Sequence, residues 1–490
     1  MEGENMRIGP LQSMVAAFLF SVMLCAGCAS MAERGLLPDI QARRPPDVRL
    51  SPEIVLLEEN GFADGSDFKS IITVDGRAHF FAADRKNRIH HVEVFGSAVL
   101  LREILGTMED GTLAMDVVEH PAGCLRVLAG GRLFVRLSSD TKWREIQGNL
   151  CERFIQAGDD LFCAFVADGG KIGAPVRRDW TVGWFILLPI VYWSDVTAHK
   201  LFLAQERQTG WAIRAVFDPK TELSARSDFM VGVDRLGFLH FLYRASGKGR
   251  WFFVGFGPGG GGGWGEDSLP MEIRYARVPY EPLLSGIKNS GDPESGQDNT
   301  PVPCESIDGA SLAPIPYLKL NPWPANLDLI GPLNSRFAVN RNTGDLSGLI
   351  KIYDQELDDG MHRMSHSEDP WIHVTLSEGQ WAQRFRILAT KDLPESGGSW
   401  INDRGALIKN DVNGNHHVIL IKSKIGFWSS THAMCYFFNT GDDWSAPLVL
   451  GKGCRMDGRR TLAIDAAGKV FAAWEDSKHR IVGRWILPKE

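Results

Sequence analysis

Two histidines four residues apart, His362 and His366, sit in Met361-His362-Arg363-Met364-Ser365-His366-Ser367-Glu368-Asp369. On a helix they would share a face and, with a carboxylate, present ligands to a metal ion. Pro370 and the polar surroundings read as a loop instead, and the HExxH arrangement is missing. No metal site is assigned. Asp411-Val412-Asn413-Gly414-Asn415 has the residue types of a calcium loop, but its glycine is misplaced and no terminal glutamate follows, so it reads as a turn. The run Gly257-Pro258-Gly259-Gly260-Gly261-Gly262-Gly263 is not followed by Lys-Ser/Thr and does not cradle phosphate. No GxSxG elbow or Ser/His/Asp arrangement stands out. His79, His240 and His416 occupy similar places in three repeated segments. They either line a common face or fill one structural role three times. Catalytic residues are left unassigned, and no cofactor is expected.

The residue with the clearest chemistry is a cysteine. An uncharged apolar run from Met14 to Ala26 is long enough for a signal-peptide core and short of the roughly 18–20 residues that span a bilayer. It ends in Leu24-Cys25-Ala26-Gly27-Cys28. The Ala-Gly-Cys ending resembles the bacterial lipobox, with one departure: Cys25 stands where Leu is preferred, and Leu24 lies one place further out. That resemblance implies cleavage before Cys28, acylation of Cys28 and export to a membrane. Ala29 in place of Asp after the cysteine implies the outer membrane. Arg7 is the only positive charge ahead of the run, opposed by Glu2 and Glu4, and a start at Met6 gives a more ordinary signal. The expected layout is a signal peptide at 1–27, a lipidated tether at 28–50 and one domain at 51–490. Ala42-Arg43-Arg44-Pro45-Pro46-Asp47 lacks periodicity and suits a spacer.

Apolar residues make up 44% and charged residues 23%, as in a folded globular body. The formal charge of −7 excludes a general nucleic-acid binder. Beyond Cys25 and Cys28 remain Cys124, Cys151, Cys163, Cys304, Cys435 and Cys454. An oxidising compartment permits disulfides among them, but spacing does not choose the pairing.

The elements that must hold any site are strands. A short apolar run, Asp, a few residues, Gly, then an alternating strand recurs at Ile72–Phe81, Val231–Phe241, Lys409–Val418 and Leu462–Trp474. Asp opens such a turn by accepting backbone hydrogen bonds, and Gly supplies the positive φ. A second unit is a polar turn running into Trp, at Ser138–Trp143, Gln208–Trp211, Ser377–Trp381 and Asn439–Ser445. Asp-type turns near 75, 116, 160, 234, 345, 411 and 465 count seven units. Repeats of this size predict an all-β fold, a seven-bladed β-propeller, with six or eight blades or two packed sandwiches as alternatives. The last unit is one strand short, and Glu53-Ile54-Val55-Leu56-Leu57 is placed to supply it. Insertions interrupt the rhythm at about 168–195 and 255–324. The first reads as a blade strand with a covering loop or as an aromatic patch for a partner or lipid. The second contains a strand-like Met271–Pro279 and a polar stretch, Ser285–Pro316.

The Trp turns, above all Asn439–Ser445, resemble the Asp-box hairpins of sialidase-like propellers. The resemblance spans most of 51–490 and concerns structural motifs, which mark fold and not activity. Sialidases use an arginine triad, a Tyr–Glu pair and an Asp acid. The early Phe/Tyr-Arg-Ile-Pro motif is absent here, and Tyr436 has no glutamate assigned to it. Ala463–Lys469 also looks a little like the blade repeat of outer-membrane assembly lipoproteins. The resulting expectation is a membrane-tethered propeller that binds or assembles in the cell envelope, with catalysis left open and, if present, glycoside hydrolysis of sialidase-like type. Its partners are the bilayer through Cys28 and an envelope protein or glycan. A sialidase-like or other carbohydrate-active hydrolase is the alternative, and an outer-membrane assembly factor a further one.

Overall fold

The computed structural model describes residues 36–37, 46–58, 68–108, 115–130, 132–140, 142–146, 151–157, 159–183, 186–207, 210–217, 229–245, 248–254, 262–268, 272–279, 318–320, 336–351, 371–377, 380–381, 385–389, 406–425, 430–439, 444–455 and 458–489. The segment read as a signal peptide, Cys28, Cys304, His362, His366 and the polar stretch Ser285–Pro316 lie outside them.

The strands group into seven sheets, antiparallel and in chain order except that Leu36–Leu37 pairs parallel with Phe385–Ala389 of the fifth. Their first strands are Lys69–Ile72, Met115–Glu119, Arg153–Ala157, Phe229–Val233, Phe337–Val339, Ala406–Asn410 and Arg460–Ile464. Each of these lies against the first strand of the next sheet, and the seventh lies against the first. The first strands therefore ring an axis, and the sheets radiate from it as the blades of a seven-bladed β-propeller.

Blade 7 is completed from the other end of the chain. Ile54–Leu57 pairs antiparallel with the C-terminal strand Ile481–Pro488, with Ile54 opposite Gly483 and Val55 opposite Val482. Val48–Leu50 pairs further along the same strand. The expected donor segment thus does close the ring. Leu56 is fully buried in an apolar cluster with Phe471 and Trp485 of blade 7 and Phe80 and Val92 of blade 1.

The turns follow the expected chemistry. Asp411 Oδ1 accepts the backbone N–H groups of Asn413 and Asn415, and Asp465 Oδ1 those of Ala467 and Lys469. The glycine that ends each turn, Gly414 or Gly468, has φ near +84° or +76°, where a Cβ would be strained. Three of the seven counted aspartates lie outside the turns. Asp345 follows Gly344, and Asn340 opens the blade 5 turn. Asp116 lies within an inner strand, and the blade 2 turn is built from His120, Pro121, Ala122 and Gly123. Asp160 starts a strand. Each still falls in its own blade, which is why the count came out right. The four Trp turns recur at one place, between the third and fourth strands of blades 2, 3, 5 and 6.

The first insertion is a strand extension. Asp160–Gly183 and Ile186–Arg207 pair from Phe162 opposite Gln205 out to Gly183 opposite Ile186. Lys248–Val254 and Gly262–Ser268 leave blade 4 between its second and third strands and join this hairpin, with Val191 opposite Phe252 and Ser194 opposite Gly249. Glu272–Pro279 is the third strand of blade 4, close to the strand read at Met271–Pro279.

The five described cysteines, Cys124, Cys151, Cys163, Cys435 and Cys454, are buried and form no disulfide among the described residues. Truncating the closing strand at its deepest point, Leu56→Ala, is expected to cost about 2–5 kcal/mol. Denaturant unfolding of the variant should show a lowered midpoint, and an unchanged midpoint would mean that the closure contributes little.

Candidate functional site

Both faces of each blade are covered by neighbours, so successive residues of a strand face alternate seams. On the second strands, His79, His240 and His417 stand at one equivalent position. Each follows by six residues the residue that opens the turn: Thr73, Asp234 and Asp411, whose N–H groups bond the carbonyls of Arg77, Phe238 and Asn415. The third member of this set is His417, not His416. The one-residue difference turns His416 to the other face of blade 6, where it meets Ser347 at 3.3 Å and the ring of Trp444 in the seam with blade 5. The shared position puts the set in one layer of the ring, as repetition suggested, but inside the seams and not on an open face.

The third strand supplies a partner at an equally fixed place, diagonal to each histidine. These partners are His91, Tyr275 and Tyr436. In blade 4, His240 Nε2 lies 2.9 Å from Asp234 Oδ2, and its Nδ1 lies 2.8 Å from the Tyr275 hydroxyl. A carboxylate only accepts, so Nε2 donates and Nδ1 of the neutral ring accepts from the tyrosine. Burial lowers the His240 pKa, with Asp234 opposing, and burial pushes the Tyr275 phenol up to about 12. Blade 6 repeats the tyrosine bond, with His417 Nδ1 2.8 Å from the Tyr436 hydroxyl, while Nε2 lies 3.5 Å from Asp411 Oδ2, too loosely placed for a hydrogen bond. Against the upward push of burial, the neighbouring His417 and the hydrogen bonds from Asn415 bring Asp411 down to about 2. Tyr436, read from the sequence as a possible nucleophile position, is buried and bonded to histidine in place of a glutamate. The loop Asp411–Asn415 is a capped turn.

Blade 1 carries a variant that reaches solvent. His79 Nδ1 is 3.0 Å from His91 Nε2, and His91 Nδ1 is 2.7 Å from Glu103 Oε1. Because Glu103 only accepts, the protons run from His79 to His91 to Glu103. Across the seam, blade 2 adds Trp143, whose Nε1–H donates to Glu103 at 2.8 Å, and Arg136, which donates to Glu93 at 3.1 Å and lies over the Trp143 ring. Arg77 donates to the other Glu93 oxygen at 2.5 Å, and its side chain is 46% exposed. Trp143 and Glu103 are half-buried. Burial first, and then the neighbouring His91, bring His79 down to about 3. Of these residues the sequence drew attention only to His79 and Trp143. Glu93, Glu103 and Arg136 lie on unremarkable strands, and only their period-two placement could have grouped them.

A repeat that sequence reading missed joins blades 1 and 7. Asp84-Arg85-Lys86-Asn87-Arg88-Ile89 and Asp476-Ser477-Lys478-His479-Arg480-Ile481 form the same turn, with the arginine Nε donating to the aspartate at 2.6 Å and 2.8 Å.

No family model matches the chain, and no curated protein does. Among solved structures of similar shape is an ulvan lyase of polysaccharide lyase family 25, at 10% identity and TM-score 0.44, covering 89% of this chain and 96% of that one. Another is a lectin from Aleuria aurantia in complex with α-methyl-L-fucoside, at 11% identity and TM-score 0.35, covering 80% and 98%. A third is the NanB sialidase of Streptococcus pneumoniae, at 9% identity and TM-score 0.34, covering 89% and 70%.

Two predictions follow the geometry. Asp411 and Asp465 cap equivalent turns, but Phe471 stands where His417 would be, so only Asp411 carries a histidine. Asp411→Ala should cost about 1–3 kcal/mol more than Asp465→Ala, because it also strands a buried imidazole. Equal losses in chemical denaturation would remove the histidine from the account. Secondly, the folded-state pKa of His79 lies below its unfolded value, so the unfolded chain binds the extra proton. Stability is therefore full above about pH 6.5 and falls as pH drops toward about 3. His79→Gln should flatten the melting-temperature profile across that window, and a profile identical to that of the parent protein would refute the assignment.

Proposed function

We propose that the protein is a β-propeller binding module of the cell envelope, held to a membrane through acylated Cys28, and that its ligand is a glycan. One observation carries the ligand class: the solvent end of the seam between blades 1 and 2. There an indole, two guanidiniums and two carboxylates are fixed within hydrogen-bonding distance of one another around Trp143, Arg77, Arg136, Glu93 and Glu103. An aromatic surface beside preset donors and acceptors is what a hydroxyl-rich, amphipathic ring requires. The histidines behind it are committed to fixing this constellation, with His91 engaged at both ring nitrogens. That favours holding a ligand over transforming it. The address rests on the Leu24–Cys28 segment, and acyl chains of that kind attach a folded domain without a spanning helix.

The ligand reading predicts that Trp143→Ala and Arg77→Ala each weaken glycan binding by roughly tenfold, about 1.4 kcal/mol, in affinity electrophoresis of the purified protein. Unchanged affinity in both variants would move the ligand elsewhere. Envelope crosslinking that recovers no partner, together with turnover in a glycan-hydrolysis screen, would replace the binding module with a hydrolase. Mass spectrometry of the mature N-terminus tests the address separately, and an unmodified terminus after Ala26 would overturn it.

A further inference from the structure

The site between blades 1 and 2 uses none of the buried cysteines, and two of them meet in another seam. Cys151 stands just ahead of the first strand of blade 3, Arg153–Ala157, and Cys163 lies on the second, Asp160–Gly183. Strict alternation would keep them apart. Phe154 is opposite Cys163 and Arg153 opposite Ala164, so Cys151, three residues before Phe154, would point to the far face of the blade.

A bulge reverses that. The Glu152 N–H donates to the Ala164 carbonyl at 3.0 Å, although Arg153 is already the residue paired with Ala164. Two residues thus oppose one, and the extra residue shifts the alternation and re-aims the side chain ahead of it. Cys151 accordingly packs on the same side as Cys163, in one buried cluster with Leu128 and Leu133 of blade 2 and Phe165 and Ala204 of blade 3. Its thiol leans back along its own strand and donates to the Arg153 carbonyl at 3.6 Å. That is the direction of Cys163, which faces the next residue, Phe154. Burial first, and then a hydrogen bond with the Cys163 thiol, raise the Cys151 pKa. The two cysteines of blade 6 are arranged differently. Cys435 packs in the cluster with Leu349 of blade 5 and Cys454 in that with Leu462 of blade 7, so they face separate seams.

We propose that Cys151 and Cys163 are a disulfide-forming pair, a covalent staple between the segment arriving from blade 2 and the second strand of blade 3. The oxidant is a disulfide of the glutathione class. Each thiol gives up its proton, the Cys151–Cys163 bond forms, the oxidant's S–S bond breaks, and two protons and two electrons leave with it as two thiols. Thiols sealed in an apolar seam react poorly, so oxidation belongs to the stage before blades 2 and 3 close on one another. The pairing depends on neither the glycan nor the acyl-anchor reading, since the chemistry needs only an oxidant of this class.

Peptide mapping tests it. The full chain is equilibrated with glutathione and glutathione disulfide in mild denaturant, treated with N-ethylmaleimide and digested with trypsin. Arg153 divides the two cysteines between the peptides Glu145–Arg153 and Phe154–Lys171. The expected main product is these two peptides joined by one disulfide, with Cys124, Cys435 and Cys454 carrying maleimide. Maleimide on both Cys151 and Cys163, or linkage of either to a different cysteine as the main product, would overturn the proposal. The oxidised protein should also melt at a higher temperature than the reduced one, and Cys163→Ala should abolish that dependence on redox state. Equal melting temperatures for the two forms of the parent protein would remove the staple. If the alanine variant fails to fold, the peptide map and melting of the parent protein decide.

Discussion

In a ring of radiating sheets no blade has a solvent face. Every strand must satisfy two neighbours at once, one through its odd residues and one through its even residues. The rest of the molecule follows from that constraint. Apolar pairs such as Phe80 with Trp485 and Phe81 with Phe134 lie on opposite sides of the same blade. The polar groups that enter a seam have no water to turn to and must find one another. The histidine at the recurring second-strand position solves this in a modular way. It reaches back to the residue that opens its own turn and across to the third strand, so that turn, second strand and third strand are fastened by one side chain.

The variation around that theme is where the blades become individual. Blades 4 and 6 seal the histidine between aspartate and tyrosine, blade 7 replaces it by Phe471, and blade 1 substitutes Thr73 and His91 and so opens the relay toward Glu103 and the rim. The blade 4 histidine, buried and bonded on both sides, is stiff and chemically quiet. The same residue linked to a half-exposed carboxylate is a support for groups that meet solvent. One scaffold thereby yields both fasteners and a surface constellation through a change of two or three residues.

How much of this was legible follows from the length scale of each interaction. Asp-x-x-Gly turns, Trp turns and the orphan strand Glu53–Leu57 are local signals, and from them the all-β class, the blade count and the ring closure could be read. The histidine set was visible only to within one residue. Period-two alternation is unforgiving, so His416 and His417 belong to different seams although they are neighbours in the chain. The Asp-Lys-Arg-Ile repeat of blades 1 and 7 was equally local and was simply overlooked. Glu93, Glu103 and Arg136 carry no local mark at all. They matter because ring closure brings distant strands together, and a closed ring is a property of the whole chain.

The strand that completes blade 7 has a temporal consequence. Its two partners lie at opposite ends of the polypeptide, and Lys489 even reaches Asp47 at 2.6 Å. Whether the chain emerges from a ribosome or threads through a translocation pore, the N-terminal strand arrives first and must wait, unpaired, until Ile481–Pro488 appears. The circle can then be sealed only after all seven blades have been made. A chain interrupted a few residues early would keep nearly all its mass and still be left with an open, adhesive rim.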